Sequence, residues 1–517
     1  MKSTENTRPY ETEILQKKLL DSQLTIDQLQ EKIRWYEEQF RLLKHQRFGA
    51  SSEKCPEQME LFNEAESILD SLKPEEAELE ETISYSRKKP GRKALSEHIP
   101  REVVRYELPK AEQVCACGHA LHEAGEDKSE QLEIIPAQIK VIEHVQVKYA
   151  CRACETGVIS APKPAQPIPR SFASASLLAY IIVAKFMDSL PLYRQETIFR
   201  RLNIDLSRAT LSNWMLKSAE LLEPFYDRLH FYLIQQKIIQ ADETTLNVIQ
   251  DGRETQSKSY MWLYQSGGHH NLRPIALYDY QATRAGTHAA NFLQGFSGHL
   301  QVDGYAGYHA LASDHCILVG CMAHARRKFD EALKVLPKAS RENKHGLTQT
   351  ALRKFTLLYA IEKQIKELSI EQRDLIRQEK SKPLMLELKQ WCEANVAKTA
   401  KEAAIGKAIR YTLNQWDNLA RYLEDGNLQI DNNAAERRIK PFVIGRKNWL
   451  FNQTPRGAKA SALLYSLVQT AVVNNLEPFA YIKYLLTELP KLGRHYEPEA
   501  LDQLLPWAVT EKIQPLK

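Results

Sequence analysis

The chain has 517 residues, 43% hydrophobic and 26% charged: long enough for three or four domains, and outside the range of a wholly disordered chain, a collagen-like repeat or a membrane protein. Seventy basic residues against 65 acidic ones leave a net charge of +5, so affinity for a polyanion has to come from local clustering and not from the overall field. Eight cysteines are too few for a disulfide scaffold, the first fifteen residues hold no signal-peptide core, and the longest apolar run, Phe172 to Ala184, is too short for a bilayer; the expected location is the cytoplasm.

Residues 1–50 read as one helix. From Tyr10 to Phe48 there is no Gly or Pro, and Leu15, Leu19, Ser22, Ile26, Leu29, Ile33, Tyr36, Phe40 and Leu43 recur in alternating steps of four and three, the seam of a coiled coil. Self-association into a homodimer or higher oligomer is the expectation, with a helix docked on its own chain as the alternative; Gly49 supplies the stop. Residues 51–99 form a charged linker, Glu-rich over 57–81 and basic over Arg87–Lys93. Residues 100–160 alternate polar and β-branched residues, as in Gln138–Ile142 and Val145–Tyr149, and predict a small β module bracketed by Cys115, Cys117, Cys151 and Cys154. Four thiolates in two close pairs suit a structural, tetrahedral zinc ion; the first pair has only one intervening residue, which leaves His119 or His122 as a substitute ligand.

Four prolines between Pro162 and Pro169 make residues 161–170 a stiff connector. The region 171–236 is predicted helical, with a break at Asn203–Leu206 and a second helix capped by Ser207, the spacing of a helix-turn-helix. The second helix offers Arg208, Thr210, Ser212 and Asn213 for bases or phosphates, Arg208 and Asn213 foremost, while Leu211, Trp214 and Met215 equally fit an ordinary packed helix. Strand patterns follow at Ile238–Asp242, Ser259–Tyr264, Pro274–Asp279, His299–Asp303 and Cys316–Gly320, with a helix over Ala285–Gln294, giving the order β-β-β-α-β-α-β across 237–323. Residues 324–425 are almost continuously helical and interrupt this α/β unit, which resumes over 426–480 before a C-terminal region, 481–517.

Asp242 and Asp303 each end a predicted strand, and strand-end carboxylates on neighbouring strands can face one cation. Magnesium takes hard oxygen ligands and is commonly held by one or two protein carboxylates together with phosphate oxygens. A third acid, Glu436, stands beside Arg437, Arg438 and Lys440 on a predicted helix. Taken singly, a strand-end Asp is ordinarily a turn residue and a Glu before two Arg an exposed helix pair. The local charge argues for more: between Asp431 and Lys459 seven bases (Arg437, Arg438, Lys440, Arg446, Lys447, Arg456, Lys459) face two acids, a local +5, with Trp449 and Phe451 interleaved as stacking faces.

The motifs Ala-Asp-Glu-Thr (241–244), Val-Asp-Gly-Tyr (302–305), Cys-Met-Ala-His-Ala-Arg-Arg-Lys-Phe (321–329) and Asp-Asn-Asn-Ala-Ala-Glu-Arg-Arg-Ile-Lys-Pro (431–441), running on to Phe451, resemble the large transposase of the insertion sequence sixty-six family. The resemblance covers nearly the whole chain, including the heptad helix and the two-pair cysteine module, whose first pair in the family usually has two intervening residues. It implies an RNase H-like catalytic core with a mostly helical insertion, preceded by a coiled coil, a zinc-ribbon-like module and a helical DNA-binding region. It further implies an Asp-Asp-Glu triad of Asp242, Asp303 and Glu436 holding two Mg2+ ions, with Mn2+ as the alternative metal. His324, Arg326 and Arg327 are expected near the phosphate, and Glu243, Asp279 and Asp431 remain alternative acids. Double-stranded DNA, both element ends and target, is the implied partner, with small companion proteins encoded beside the element and a nucleoid-associated bacterial location. A catalytically inactive DNA-binding derivative and a general nuclease on the same fold are the rival readings.

Overall fold

The computed structural model describes residues 139–150 and 158–517 apart from 254–256, 270, 272, 342, 344, 494, 514 and 517, together with helical positions between 19 and 41. Cys55, Cys115, Cys117, Cys151, Cys154, His119, His122 and the basic segment 87–93 lie outside the described residues. The chain divides into two compact units, 74–163 and the remainder.

In the smaller unit, β1 (Lys148–Ala150) pairs antiparallel with β2 (Val158–Ser160). The alternation over Gln138–Ile142 predicts a further strand, but residues 139–147 are outside any strand and Val141 is 95% exposed. Alternation marks a strand only where one face has something to bury against, and here the described residues offer nothing.

The larger unit is built on a five-stranded sheet in the order β5-β4-β3-β6-β7, with β3 (Ile238–Leu246), β4 (Ser259–Ser266), β5 (Ala276–Gln281), β6 (Gly298–Gln301) and β7 (Cys316–Val319). The first three strands form an antiparallel meander; β6 and β7 add in parallel beside β3. Asp242 is the fifth of nine residues in β3 and so does not end it, because β4 continues the ladder to Leu246. What stops near Asp242 is the parallel neighbour, whose pairing ends at Gln240–Gln301.

A row of buried amides crosses the sheet at that level. Gln265, Gln240 and Gln301 are directly opposed on three strands. Gln265 Nε2 donates to Gln240 Oε1 (2.8 Å), Gln240 Nε2 to Gln301 Oε1 (2.9 Å) and to Gln429 Oε1 (2.7 Å), and Gln301 Nε2 to the Gln429 carbonyl (2.7 Å). Buried amides of this kind are tolerated only when satisfied, and these satisfy one another.

Before the sheet come α1 (Ala175–Phe186), α2 (Leu192–Arg201) and α3 (Arg208–Leu233). Ser207 caps α3 by accepting from the Thr210 N–H (3.2 Å), and Leu211, Trp214, Met215, Leu222, Phe225 and Leu229 form its buried stripe at helical spacing. Between β5 and β6 lies α4 (Gly286–Phe292). After β7 the chain enters α5 (Met322–Lys334), then α6 (Leu347–Gln364), α7 (Ile370–Ile376), α8 (Lys382–Val396) and α9 (Ala404–Asn414), which pack a second core around Phe329, Phe355, Leu388 and Ile409. The chain returns to the sheet through α10 (Asn433–Trp449), α11 (Pro455–Val473) and α12 (Pro478–Glu488). Helix α11 closes the β5 edge: Ser466 Oγ accepts from the Tyr278 N–H (2.7 Å) and Thr470 Oγ1 from the Ala276 N–H (3.2 Å). Covering an edge strand in this way removes a template for unwanted pairing.

The N-terminal helical positions rest against the inserted helices by one edge. Arg41 donates to the Val335 carbonyl (3.2 Å), and Glu38 Oε2 accepts from the Ala404 N–H (3.1 Å) at the start of α9. The heptad residues Leu19, Ile26, Leu29, Ile33, Tyr36 and Phe40 are all exposed.

Two fully buried arginines tie the insertion together. Arg377 makes two bonds to Glu362 (2.8 and 2.6 Å) and donates to the carbonyls of Tyr422, Asp425 and Leu428. Arg373 bonds the Gly426 carbonyl (2.8 Å) and reaches Glu362 (3.4 Å). Removing one partner of a buried pair strands the other charge. Arg377→Ala is therefore expected to cost about 3–5 kcal/mol in urea unfolding, well above the cost of truncating an exposed arginine such as Arg200.

Candidate active site

Strand register sets the two aspartates. In the β3–β6 pair each residue faces the one 61 positions later, the last rung being Gln240 opposite Gln301; Asp242 and Asp303 each follow two residues beyond it, near enough for the charge of Asp303 to act on Asp242. There β6 has ended and the chain turns, with Asp303 Oδ1 accepting from the Tyr305 N–H (2.9 Å) and Asp242 Oδ1 from the Glu243 N–H (2.9 Å). The turn runs through Gly304, where a β-carbon would stand 2.6 Å from the Tyr411 hydroxyl; an inserted helix thus leans directly on the loop carrying Asp303.

Glu436 comes from the first turn of α10. Asn432, just before that helix, donates from Nδ2 to the Ala241 carbonyl (2.9 Å) and from its backbone N–H to Cys321 Sγ (3.2 Å), stapling the helix start between β3 and α5. Further along, Arg446 fixes α10 to the same strand through Thr244 Oγ1 (3.2 Å) and Thr245 Oγ1 (3.1 Å). Glu436 is 5% exposed; its Oε2 accepts from Arg327 (3.2 Å), while its Oε1 lies 3.3 Å from His324 Nδ1, both of these atoms lacking a hydrogen-bond partner.

The three acids share one electrostatic neighbourhood. Burial first, and then the charges of Glu243, Glu436 and Asp303, push Asp242 well above the ordinary carboxylate range. Burial pushes Glu436 up to about 7, Arg327 opposing it and Asp431 and Asp303 adding to it. Desolvation, Arg327 and Lys328 together pull His324 down to about 3, so its imidazole is neutral at pH 7. Among the described residues, however, the donor atoms that gather within 4.8 Å of one another are those of Cys321, His324 and Glu436; Glu436 is turned toward α5.

The alternative acids are engaged elsewhere. Glu243 points to the other face of β3, where Arg284 Nε (2.8 Å) and the Tyr308 hydroxyl (2.6 Å) hold it. Asp279, level with Glu243 across Trp262, accepts from Gln281 (2.8 Å), and burial raises it to about 6. Asp431 accepts from the Tyr359 hydroxyl (2.8 Å) and from Asn433 (2.8 Å).

The basic candidates divide by placement. Arg208, Asn213, Arg437, Lys447, Arg456 and Lys459 are exposed, Arg456 alongside Glu220. Arg438 is half-buried and bonded to Gln469 (3.2 Å), Lys440 is half-buried, and Arg326 is 5% exposed, an interior position that sets it apart from Arg327. Trp449 is half-buried with the Lys185 ammonium 4.4 Å above its ring, whereas Phe451 is 44% exposed. Cys321, Asn432 and Tyr411 join the site although none is among the candidate residues read from the sequence. The spacing Cys-x-x-His immediately before a helix was a usable signal for the first; nothing local signals the other two.

Comparison with known proteins decides the family. Residues 170–460 match the model described as transposase IS66 family. The chain belongs to the IS66 transposase family. Residues 112–155 match the zinc-finger binding domain of transposase IS66, 35–104 the transposase C of IS166 homeodomain and 466–507 the IS66 C-terminal element. The zinc-finger match supports structural zinc in the cysteine module. Relatives in Sinorhizobium fredii (strain NBRC 101917 / NGR234) include uncharacterized protein y4jD, 35% identical over 80% of this chain and 81% of its own length, and uncharacterized protein y4hP, 34% identical over 82% and 78%. Among the described residues no helix is long and apolar enough to cross a membrane.

Glu436 supplies a pH test on metal-free protein. Its folded value, about 7, exceeds the unfolded 4.5, so its contribution to stability is complete below pH 4.5 and is lost as pH rises through 7. Glu436→Gln lacks this loss. It is expected to match the unmodified chain near pH 4.5 and to exceed it above pH 7 by on the order of 3 kcal/mol in denaturant unfolding.

Proposed function

We propose that this transposase cleaves and joins DNA by magnesium-dependent phosphoryl transfer in an RNase H-like core, with Asp242, Asp303 and Glu436 as the catalytic acids. The observation that supports the reading is that Asp242 and Asp303 each follow by two residues the last rung between β3 and β6, and that the charges of Asp303 and of Glu436 on α10 both act on Asp242. The residues suit divalent cations: burial and neighbouring acids hold Asp242 and Glu436 above the ordinary carboxylate range, and Glu436 Oε1 has no hydrogen-bond partner. Two such ions held by these acids would activate the attacking oxygen and neutralise the departing one.

The chain's own contribution is positioning and charge. Arg327 stands against Glu436 and offers a guanidinium to phosphate, while His324 beside it stays uncharged. Exposed Arg437 and Lys447 on α10 and Arg456 and Lys459 on α11 extend a basic surface away from the acids, suited to double-stranded DNA of an element end or target. Water, then the freed 3′-hydroxyl, serves as nucleophile, so no Ser or Tyr adduct is needed. Helices α2 and α3 present Arg208 and Asn213 in helix-turn-helix spacing for end recognition. The exposed heptad face fits pairing of two copies, as bringing two ends together requires. Structural zinc is assigned to Cys115, Cys117, Cys151 and Cys154.

Asp242→Asn is expected to leave binding of labelled double-stranded ends intact in gel shifts while lowering Mg2+-dependent nicking by on the order of a thousandfold. Undiminished nicking by that variant removes Asp242 from the chemistry. Lys447→Ala, in contrast, is expected to weaken binding evenly across sequences and to flatten the plot of log K against log salt by about one unit, read by fluorescence anisotropy.

A further inference from the structure

We propose that Cys321, His324 and Glu436 form a site for a zinc-class divalent cation, separate from the cysteine module and competing with the magnesium acids for Glu436. The competition rests on the reading of the preceding subsection; the binding does not.

Three observations converge. The first is separation. His324 Nδ1 and Glu436 Oε1 stand 3.3 Å apart and neither has a hydrogen-bond partner, although both atoms are buried. Two ligands about 2.0–2.1 Å from one tetrahedral ion are about 3.3–3.4 Å apart, so this gap has the length of an edge of a zinc polyhedron. Cys321 Sγ lies within 4.8 Å of a ring nitrogen of His324 and of a carboxylate oxygen of Glu436, at most about 1.2 Å longer than the ~3.6 Å of an ion-bound sulfur–nitrogen pair.

The second is donor type. Thiolate, imidazole and carboxylate together suit zinc and the softer first-row ions, whereas magnesium takes oxygen alone. Three protein ligands with a fourth position open is the pattern of an exchangeable zinc site, as opposed to the closed four-thiolate pattern.

The third is rigidity. Cys321 immediately precedes α5 and His324 lies one turn later on the same helix edge, so their spacing is fixed by the backbone. The Asn432 N–H donates to Cys321 Sγ (3.2 Å), and the same residue anchors the start of the helix that carries Glu436. Such supporting hydrogen bonds orient metal ligands.

An ion here would hold Glu436 toward α5 and withhold a carboxylate oxygen from the Asp242–Asp303 side. The enzyme would then have two states of one glutamate, selected by which cation is present.

The test uses the full chain, stripped of metal and dialysed against Zn2+, beside Cys321→Ser and His324→Ala, with circular dichroism to establish that each variant folds. His324 is half-buried at the site's rim, so its variant serves if the buried Cys321→Ser does not fold. The unmodified chain is expected to retain one zinc per chain more than either variant, and equal zinc content in all three overturns the site. Nicking of double-stranded ends at saturating Mg2+ is then measured with added Zn2+, each protein normalised to its own rate without zinc. The unmodified chain is expected to lose half its rate at a zinc concentration at least about tenfold lower than His324→Ala; equal sensitivity overturns the competition. A chain that binds the extra zinc yet never nicks DNA sustains the site and refutes the magnesium reading instead.

Discussion

The fold is organised around a concentration of like charge. Asp242, Asp303 and Glu436 come from three separate segments; after burial, the charges of Glu436 and Asp303 raise Asp242, and Asp303 also raises Glu436, so the acids oppose one another's approach. Acids that repel do not assemble by themselves; the backbone has to bring them in. Here the parallel ladder between β3 and β6 ends two residues before both aspartates, and Asn432 fastens the helix of the third acid to the Ala241 carbonyl, one residue from Asp242. Arg327 offsets part of the charge at Glu436.

The inserted helices are part of this arrangement. Tyr411 lies against Gly304 beside Asp303, Tyr359 holds Asp431 just before α10, and α5 carries His324 with Cys321 just before its first turn. The Arg373–Glu362–Arg377 cluster fixes these helices to one another and to the chain returning at Gly426. The insertion therefore acts as the back wall of the candidate site, and its rigidity sets the position of Glu436 as much as the sheet does.

Much of this was legible in the residues. The strand patterns from Ile238 to Gly320, the capping role of Ser207 and the return to helix near Asp431 all rest on local periodicity and short-range hydrogen bonding, and the strands and helices are found at those places. Local pattern failed where the partner decides. Asp242 read as a strand end because polar residues follow it, but an antiparallel neighbour carries β3 four residues further. Gln138–Ile142 alternates, yet residues 139–142 join no strand. Glu436 was identifiable from its motif, whereas its turn toward His324 depends on a helix more than a hundred residues earlier in the chain.

The glutamine row has a consequence for how the acids can change. A one-residue slip of β3 against either neighbour would face three amides with greasy surroundings and leave their dipoles unanswered, so the ladder is keyed by uncharged groups lying two residues short of Asp242. Alignment is thereby delegated to side chains that perform no chemistry. The carboxylates are relieved of architectural duty, and a lineage could lose them and keep the same scaffold as a bare DNA-gripping frame.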